Sequence, residues 1–202
     1  MKRKVVLFGG GAKRRYFRKE KNTDYWMLNG QQMGPIGKLV RPTAVFNLHK
    51  LKLLQQYGYD LVPEARWHLR NKRVPFFTMD RWHKKIRTRN FPVQPLFAMP
   101  NGRYHCGSFD WLVAYGILCR YKEIELHGIN LCLEGSEPMA SQACLEFWCC
   151  YAMAKGIKVT ATKDSTLFCY IHKVLTNRIY GWDDAPIYED HRYGARQYDY
   201  RR

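Results

Sequence analysis

The sequence lacks the features of several large protein classes. No apolar run approaches the roughly 18–20 residues that span a bilayer, and no cysteine pair has the CxxC spacing of a zinc site. The seven cysteines are odd in number and lie mostly in apolar stretches, which favours buried free thiols over a secreted disulfide framework. The basic, then apolar start (1–8) is too short for a signal peptide. We therefore expect a cytoplasmic protein without a membrane partner.

Acidic residues are scarce in the first half of the chain. Residues 1–90 hold 22 Lys and Arg against 5 Asp and Glu, whereas residues 91–202 hold 12 of each, so the net charge of +17 lies in the N-terminal half. A one-sided positive field attracts phosphates, nucleotides and nucleic acid. The alternative is a solvated basic face that serves solubility alone. From this charge distribution we expect a partner that bears phosphate groups.

Apolar runs that end in turn residues predict a layered α/β fold. The predicted strands cover 4–8, 24–28, 43–48, 74–79, 124–128 and 157–161. The predicted helices cover 51–57, 109–120 with Ser108 as its cap, 139–155, and 165–174. Residues 31–42 are expected to form a loop, residues 60–73 are ambiguous, and residues 80–105 are expected to be irregular and exposed. Alternating strands and helices indicate a Rossmann-like three-layer fold with a mostly parallel sheet over 1–179, followed by an irregular C-terminal tail over 180–202.

Glycine turns follow three of the predicted strands. Ligands of open α/β sheets lie beyond the carboxyl ends of the strands, where strand order reverses. If the first strand is central, the turns Gly9-Gly10-Gly11, Asn29-Gly30 and Gly128-Ile129-Asn130 meet there. Glycines let the backbone approach a phosphate closely, and Lys13 and Arg14 add positive charge directly after the first turn. The run is neither GxGxxG nor GxxxxGK[ST], so a plain tight turn is the equal alternative.

Four further side chains are candidates for chemistry at this edge. His49 follows the third strand and could act as a general acid or base, although a single histidine is more often structural. Ser108 could hydrogen-bond a phosphate or ribose from the start of its helix. Glu134 and Glu137 could hold a divalent cation such as Mg²⁺, but exposed loop carboxylates need no such role, and we assign no metal site.

Seven segments, taken in order and spacing over about residues 4–168, carry a family resemblance. They read VVLFGGG (5–11), YWMLNG (25–30), VFNLH (45–49), GSF (107–109), YKEIELHGIN (121–130), SQACLEFW (141–148) and GIKV (156–159). The chain resembles small Rossmann-like proteins encoded by tailed bacteriophages, which are similar to the hydroxymethylpterin pyrophosphokinase-like family, and more remotely it resembles bacterial sialyltransferases. The resemblance implies a protein of the host cytoplasm that binds a nucleotide or nucleotide sugar and transfers a diphosphate or glycosyl group. It also implies that Gly9–Gly11, Asn29, Ser108 and the turn at 128–130 face the nucleotide.

Two departures from that family keep other functions open. Ala12-Lys13-Arg14 stands where the family has a small polar residue, and Asn130 replaces an acid. The first hypothesis is a nucleotide-dependent transferase. The second is a basic nucleic-acid-binding protein that stacks bases on Trp67, Trp82 and Tyr16. The third is a non-catalytic accessory or structural phage protein on the same fold, so whether the chain is an enzyme is left open.

Overall fold

The chain forms one parallel sheet covered by helices. The computed structural model describes residues 4–56, 58–82, 84–131, 136–163, 165 and 167, and of residues 136–139 it describes the backbone. The strands are β1 Lys4–Phe8, β2 Thr23–Leu28, β3 Ala44–Asn47, β4 Phe76–Thr78, β5 Thr88–Asn90, β6 Glu123–His127 and β7 Lys158–Ala161. The helices are α1 Pro35–Leu39, α2 Leu51–Gln56, α3 Val62–Arg70, α4 Val93–Phe97, α5 Ser108–Leu118 and α6 Ser136–Ala154, with short 3-10 helices at Arg14–Tyr16 and Gln31–Met33.

The seven strands lie in the order β5-β4-β3-β2-β1-β6-β7, and every neighbouring pair is parallel. The chain starts at β1, builds outward to β5, and then crosses back to place β6 on the other side of β1. Strand order therefore reverses at β1, as expected from the glycine turns. This order confirms the predicted Rossmann-like fold.

Both faces of the central part of the sheet are buried, which is why β1 and β3 are almost continuously apolar. Val5 and Leu7 face the cluster formed with α5 and α6, whereas Val6 and Phe8 face the cluster that includes Ile36 of α1. A third cluster lies under α2 and α3, around β3 and β4. Successive side chains of a strand point to opposite faces, so two sets of helices sandwich the sheet. The result is three layers.

Two segments are more regular than the sequence predicts. The region 31–42 contains a 3-10 helix and α1, because Pro35 takes the first helical position, where its fixed φ favours helix and its missing N–H costs nothing. The expectation that 80–105 is irregular and exposed is wrong. This segment forms β5 and α4 and buries Trp82, Ile86, Phe91 and Leu96. These four buried residues recur every four or five positions, which matches neither the alternation of a strand nor the periodicity of a helix.

Smaller corrections concern α5 and the cysteines. Gly107, and not Ser108, is the cap of α5, so Ser108 is the first helical residue. Five of the cysteines lie in the described part of the chain, and all five are free thiols. Cys144 and Cys149 are buried as expected, but Cys106, Cys119 and Cys150 are exposed. The ambiguous segment 60–73 contains α3.

Some predictions fall outside the described residues. These are the boundary at 179, the tail 180–202 and nearly all of the helix predicted at 165–174. None of the helices in the described ranges is both long and apolar enough to cross a membrane.

A charged cluster fixes the amino edge of the sheet. The ammonium of Lys4, on the central strand, lies 2.9 Å from Glu20, 2.7 Å from Glu125 and 3.6 Å from Glu123, and the side chain is 11% exposed. Burial alone would lower the pKa of Lys4, but the hydrogen bonds and charges of Glu125 and Glu20 outweigh it and raise the pKa above its ordinary value of 10.5. The folded state therefore holds this proton more tightly than the unfolded chain does.

We predict that Lys4→Met lowers the free energy of unfolding by about 1–3 kcal/mol at neutral pH, because it leaves three carboxylates facing one another. Lys158→Met should change it by less than about 0.5 kcal/mol, since Lys158 is 67% exposed and makes a 3.4 Å surface pair. Urea unfolding of both variants checks this. The Lys4 contribution is complete below pH 10.5 and is lost as pH rises through the raised pKa. Equal losses in the two variants would contradict the assignment.

Candidate functional site

The turns that follow β1 and β6 are joined by backbone hydrogen bonds at the carboxyl edge of the sheet. The amide of Gly9 donates to the carbonyl of His127 at 2.8 Å, and the amide of Gly11 donates to that of Gly128 at 2.9 Å. The amide of Ala12 turns back to the carbonyl of Gly9 at 3.2 Å. Three amides of this turn are therefore committed to protein carbonyls. An incoming anion would meet Gly10 and the neighbouring side chains instead.

The close approach of the two turns requires glycine at two positions. A Cβ on Gly9 would overlap the carbonyl oxygen of Gly128 and lie 2.7 Å from Cα of Ile129. Gly128 has φ +64, and a Cβ there would overlap the backbone of Ala12. Gly10 is different: it is exposed, and a Cβ built on it meets nothing within 4 Å. Gly10 is thus the most accessible glycine of the turn.

Asn130 lies beside the glycine turn on the β6 side, and two cations follow the turn in the chain. Asn130 is exposed, and its amide nitrogen lies directly beside Gly11. Lys13 and Arg14 are exposed, where the chain leaves the turn and enters the first 3-10 helix. The structure therefore brings together the predicted glycine turn, Asn130 and the two cations. Amide and cationic groups are the donors that phosphate oxygens accept from.

On the β2 side the structure brings Asn29 and His49 together. Phe8 pairs with Met27, so the residues after β1 lie opposite 28–29. Asn29 is exposed with φ 49, followed by Gly30 with φ +84, and its amide nitrogen lies 3.4 Å from Nε2 of His49. Because an amide nitrogen can only donate, Nε2 of His49 is the acceptor in this contact. A contact of 3.4 Å is long and weak, so a substrate hydroxyl could displace it.

Ser108 lies at the same edge but on the helical layer. β6 starts beside the start of β1, and α5 leads into β6, so α5 ends near the amino edge and begins near the carboxyl edge. The carboxylate of Asp110 accepts 2.8 Å hydrogen bonds from the amides of Cys106 and Gly107. Asp110 therefore satisfies the backbone amides just before α5, and Ser108 lies in the first turn of this helix.

A buried polar network supports the β2 and β3 side, and sequence reasoning did not find it. Glu64 of α3 is 5% exposed and accepts from the amides of Gln32 at 3.1 Å and Asn47 at 3.2 Å. His68, one turn along α3, lies 3.9 Å from the same carboxylate. The side chain of Asn47 in turn accepts a 3.4 Å bond from the amide of His49. Glu64 thus holds in place the segments that carry Asn29 and His49.

A second buried group that the sequence did not indicate is the pair His105 and Asp110. Nδ1 of His105 lies 3.1 Å from Asp110, and the imidazole is stacked between Trp111 at 3.7 Å and Trp148 at 4.9 Å. Its side chain is 2% exposed. A ring enclosed in this way fixes the loop before α5 and is shielded from substrate. The acid at the third helical position was the available signal, since that position often caps a helix.

The aromatic residues proposed as a stacking surface differ in access. Trp82 is buried, with its ring 4.9 Å from that of Phe76, so its predicted role in base stacking is wrong. Trp67 and Tyr16 are half-buried, and the guanidinium of Arg15 covers the Tyr16 ring at 4.7 Å. Only part of the predicted surface is therefore accessible.

The metal hypothesis lies outside what the structure describes. Glu134 and the side chain of Glu137 are not among the described residues. Within the described ranges no group of three or more His, Cys, Asp or Glu side chains is placed to hold a metal ion.

Gly9→Ala and Gly10→Ala should separate the structural glycine from the accessible one. We predict that Gly9→Ala lowers the free energy of unfolding by at least about 2 kcal/mol, because its methyl group overlaps the Gly128 turn. Gly10→Ala should leave it unchanged or raise it by up to about 1 kcal/mol, since the added methyl group points into open space. Thermal and urea unfolding measure both. A stable Gly9→Ala protein would mean that the two turns are not in contact.

Glu64→Ala should also lower the free energy of unfolding, by about 2–5 kcal/mol, because the buried amides of Gln32 and Asn47 lose their acceptor. Arg66→Ala, an exposed neighbour on the same helix, should change it by less than about 0.5 kcal/mol. Urea unfolding of the two variants is the measurement. If Glu64→Ala were as mild as Arg66→Ala, the network would not hold this edge.

Comparison with known proteins supports the fold. No family model matches the chain, and no curated protein matches its sequence. Among solved structures, the sialyltransferase CstII from Campylobacter jejuni, in complex with the substrate analogue cytidine-5′-monophosphate, is similar with a TM-score of 0.53 at 16% sequence identity. The match covers 84% of this chain and 84% of that one. At this identity the likeness shows a shared fold, in agreement with the remote resemblance to bacterial sialyltransferases.

Proposed function

We propose that the protein binds a nucleotide at the carboxyl edge of its sheet and acts as a nucleotide-dependent transferase, with a nucleotide sugar as donor. One observation carries the proposal: the carboxyl ends of β2, β1 and β6 lie side by side where strand order reverses, and the accessible Gly10 stands in the turn after β1. Ligands of open α/β sheets bind at this point. The fold shared with a sialyltransferase that holds cytidine monophosphate supports the same reading.

The residues around Gly10 suit a phosphate-bearing ligand. Asn29 and Asn130 offer neutral amide donors on either side of the turn, and Lys13 and Arg14 offer positive charge beyond it. Amide donors reach a phosphate or ribose oxygen without the desolvation cost of a buried charge. The cations then balance the charge of the phosphates of a nucleoside mono- or diphosphate through charge-assisted hydrogen bonds.

The proposed reaction transfers the sugar to an acceptor hydroxyl. The bond between the anomeric carbon and the phosphate oxygen breaks, and the nucleotide leaves with the electron pair. The acceptor oxygen forms the new bond to the anomeric carbon, and its proton passes to Nε2 of His49. The acceptor can reach Nε2 because it displaces only the weak contact with Asn29. Lys13 and Arg14 stabilise the negative charge that grows on the departing phosphate.

Diphosphate transfer is the second reaction that this edge could serve. It follows from the resemblance to pyrophosphokinase-like proteins of tailed bacteriophages, and it would require a divalent cation such as Mg²⁺ to balance the charge of the phosphates. Glycosyl transfer is preferred because the fold is shared with a glycosyl-transferring enzyme. Assays with and without Mg²⁺ distinguish the two reactions.

Titration calorimetry against nucleoside mono- and diphosphates and their sugar conjugates tests the binding step. We expect at least one to bind with Kd of about 1 µM–1 mM, the usual range for substrates. Asn29→Gly should weaken that binding at least tenfold, since it removes the amide while permitting the left-handed backbone at φ 49. Asn101→Gly is the matched control, because Asn101 is also exposed and left-handed, with φ 54, and should bind as the parent does.

His49→Gln tests the chemical step. With the donor found by calorimetry, it should lower kcat about 10²–10⁴-fold, the usual contribution of a general base, and change donor affinity little. Silence across the nucleotide panel would reject the nucleotide site and favour a non-catalytic protein on this fold. Unchanged kcat in His49→Gln would reject the assigned base alone.

A further inference from the structure

The outer surface of α3 carries a depression of about 310 Å³ outside the candidate nucleotide site. It is lined by Met33, Pro63, Arg66, Trp67 and Arg70. Arg66 and Arg70 are four residues apart, so their side chains lie on one face of the helix, with Trp67 beside them. The surface therefore combines an aromatic ring, an aliphatic wall and two guanidinium groups.

Both guanidinium groups are exposed and lack a carboxylate partner within the described part of the chain. The acid on the same helix, Glu64, points inward and is used by Gln32 and Asn47. Asp60, just before the helix, accepts a 2.9 Å hydrogen bond from the amide of Val62. The positive charge of this face is thus not neutralised by a neighbouring described carboxylate, and an anionic partner would supply the negative charge.

The indole of Trp67 is held in place and still accessible. Its ring meets that of His68 edge-on at 5.1 Å, with an angle of 82° between the planes, and it packs against the cluster below α2 and α3. Trp67 is half-buried and lines the depression. A fixed, partly open indole offers a face for a flat ring at low entropic cost. Flanking arginines then suit the phosphates on either side of such a ring.

We propose that this depression binds single-stranded nucleic acid, with an unpaired base stacked on Trp67 and its phosphates contacted by Arg66 and Arg70. A base within a duplex is already stacked and could not enter. The proposal stands independently of the nucleotide site at Gly10, although the two are neighbours. Met33, in the wall of the depression, lies within 3.2 Å of the position that a Cβ would take on Gly30.

Fluorescence anisotropy with the full chain tests the proposal, with labelled 12-nucleotide single-stranded DNA and RNA, a 12-base-pair duplex and a poly-glutamate peptide as probes. Both single strands should bind more tightly than the duplex and the peptide. Arg66→Gln/Arg70→Gln should weaken single-strand binding at least tenfold and reduce the slope of log affinity against log salt by about 1.4, since each phosphate contact contributes about 0.7. The DNA and RNA arms show which strand is preferred.

Two comparisons separate local recognition from general charge. Lys122→Gln/Lys155→Gln removes the same charge from exposed positions elsewhere and should weaken binding less than threefold. Trp67→Leu should weaken single-strand binding at least fivefold, whereas Trp67→Phe, which keeps a ring, should recover most of the loss. Circular dichroism melting of each variant shows that it is folded.

The proposal is overturned if the two double variants weaken binding equally, if Trp67→Leu binds as the parent does, or if poly-glutamate binds more tightly than the single strands. The last outcome would assign the surface to an acidic protein partner. Nucleotide titration of Arg66→Gln/Arg70→Gln keeps this result separate from the proposed transferase function. Loss of single-strand binding with unchanged nucleotide affinity supports a separate nucleic-acid site in the depression. Loss of both would contradict the proposal that this site is independent of the nucleotide site.

Discussion

The contact between the turns after β1 and β6 is the constraint on which the rest of this edge depends. The hydrogen bonds from Gly9 and Gly11 hold the two backbones so close that neither Gly9 nor Gly128 can carry a side chain. This contact fixes the carboxyl ends of the two strands between which the order of the sheet reverses. It also uses the amides that a glycine-rich turn would otherwise offer to an anion. Recognition at this edge therefore depends on Gly10 and on side chains.

The distribution of acids explains why the positive field of the N-terminal half persists in the folded protein. Each of the five acids among residues 1–90 is engaged in the structure: Glu20 with Lys4, Asp24 with the Tyr121 hydroxyl, Asp60 with the Val62 amide, Glu64 with Gln32 and Asn47, and Asp80 with the Leu51 amide. Three of them, Asp60, Glu64 and Asp80, accept hydrogen bonds from amide groups. Apart from Lys4, the Lys and Arg side chains described between residues 4 and 90 are exposed. The charge excess read from the sequence is thus a property of the folded surface.

The architecture was predictable because local signals and the global fold agree. The apolar runs of β1 and β2 and the alternating Ile124 and Leu126 of β6, each followed by Gly or Asn-Gly, predict parallel strands and their turns. α1 was missed because its Pro and Gly suggest a loop, although Pro35 stands at the start of the helix. The segment 80–105 was missed because its prolines also suggest a loop and its buried residues are widely spaced. In both regions tertiary packing outweighs local composition.

The site was predictable only in part, because its groups come from distant segments. Asn29 and His49 each follow a strand, so their approach to one edge follows from parallel topology. The role of Gly9 could not be read, since it depends on which strand neighbours β1. The Glu64 network joins Glu64 to Gln32, 32 positions earlier in the chain, and to Asn47, 17 positions earlier. Nothing in the composition of α3 marks its acid as buried.

Helix α3 links the two surfaces through its periodicity. Glu64 and His68, one turn apart, are buried, and Glu64 accepts hydrogen bonds from Gln32 and Asn47. Arg66 and Arg70, also one turn apart, are exposed. Helix α3 thus supports the β2 and β3 side of the candidate site and also presents the cationic face. Because Met33 adjoins both Gly30 and the depression, a strand bound on α3 would lie beside the proposed donor site.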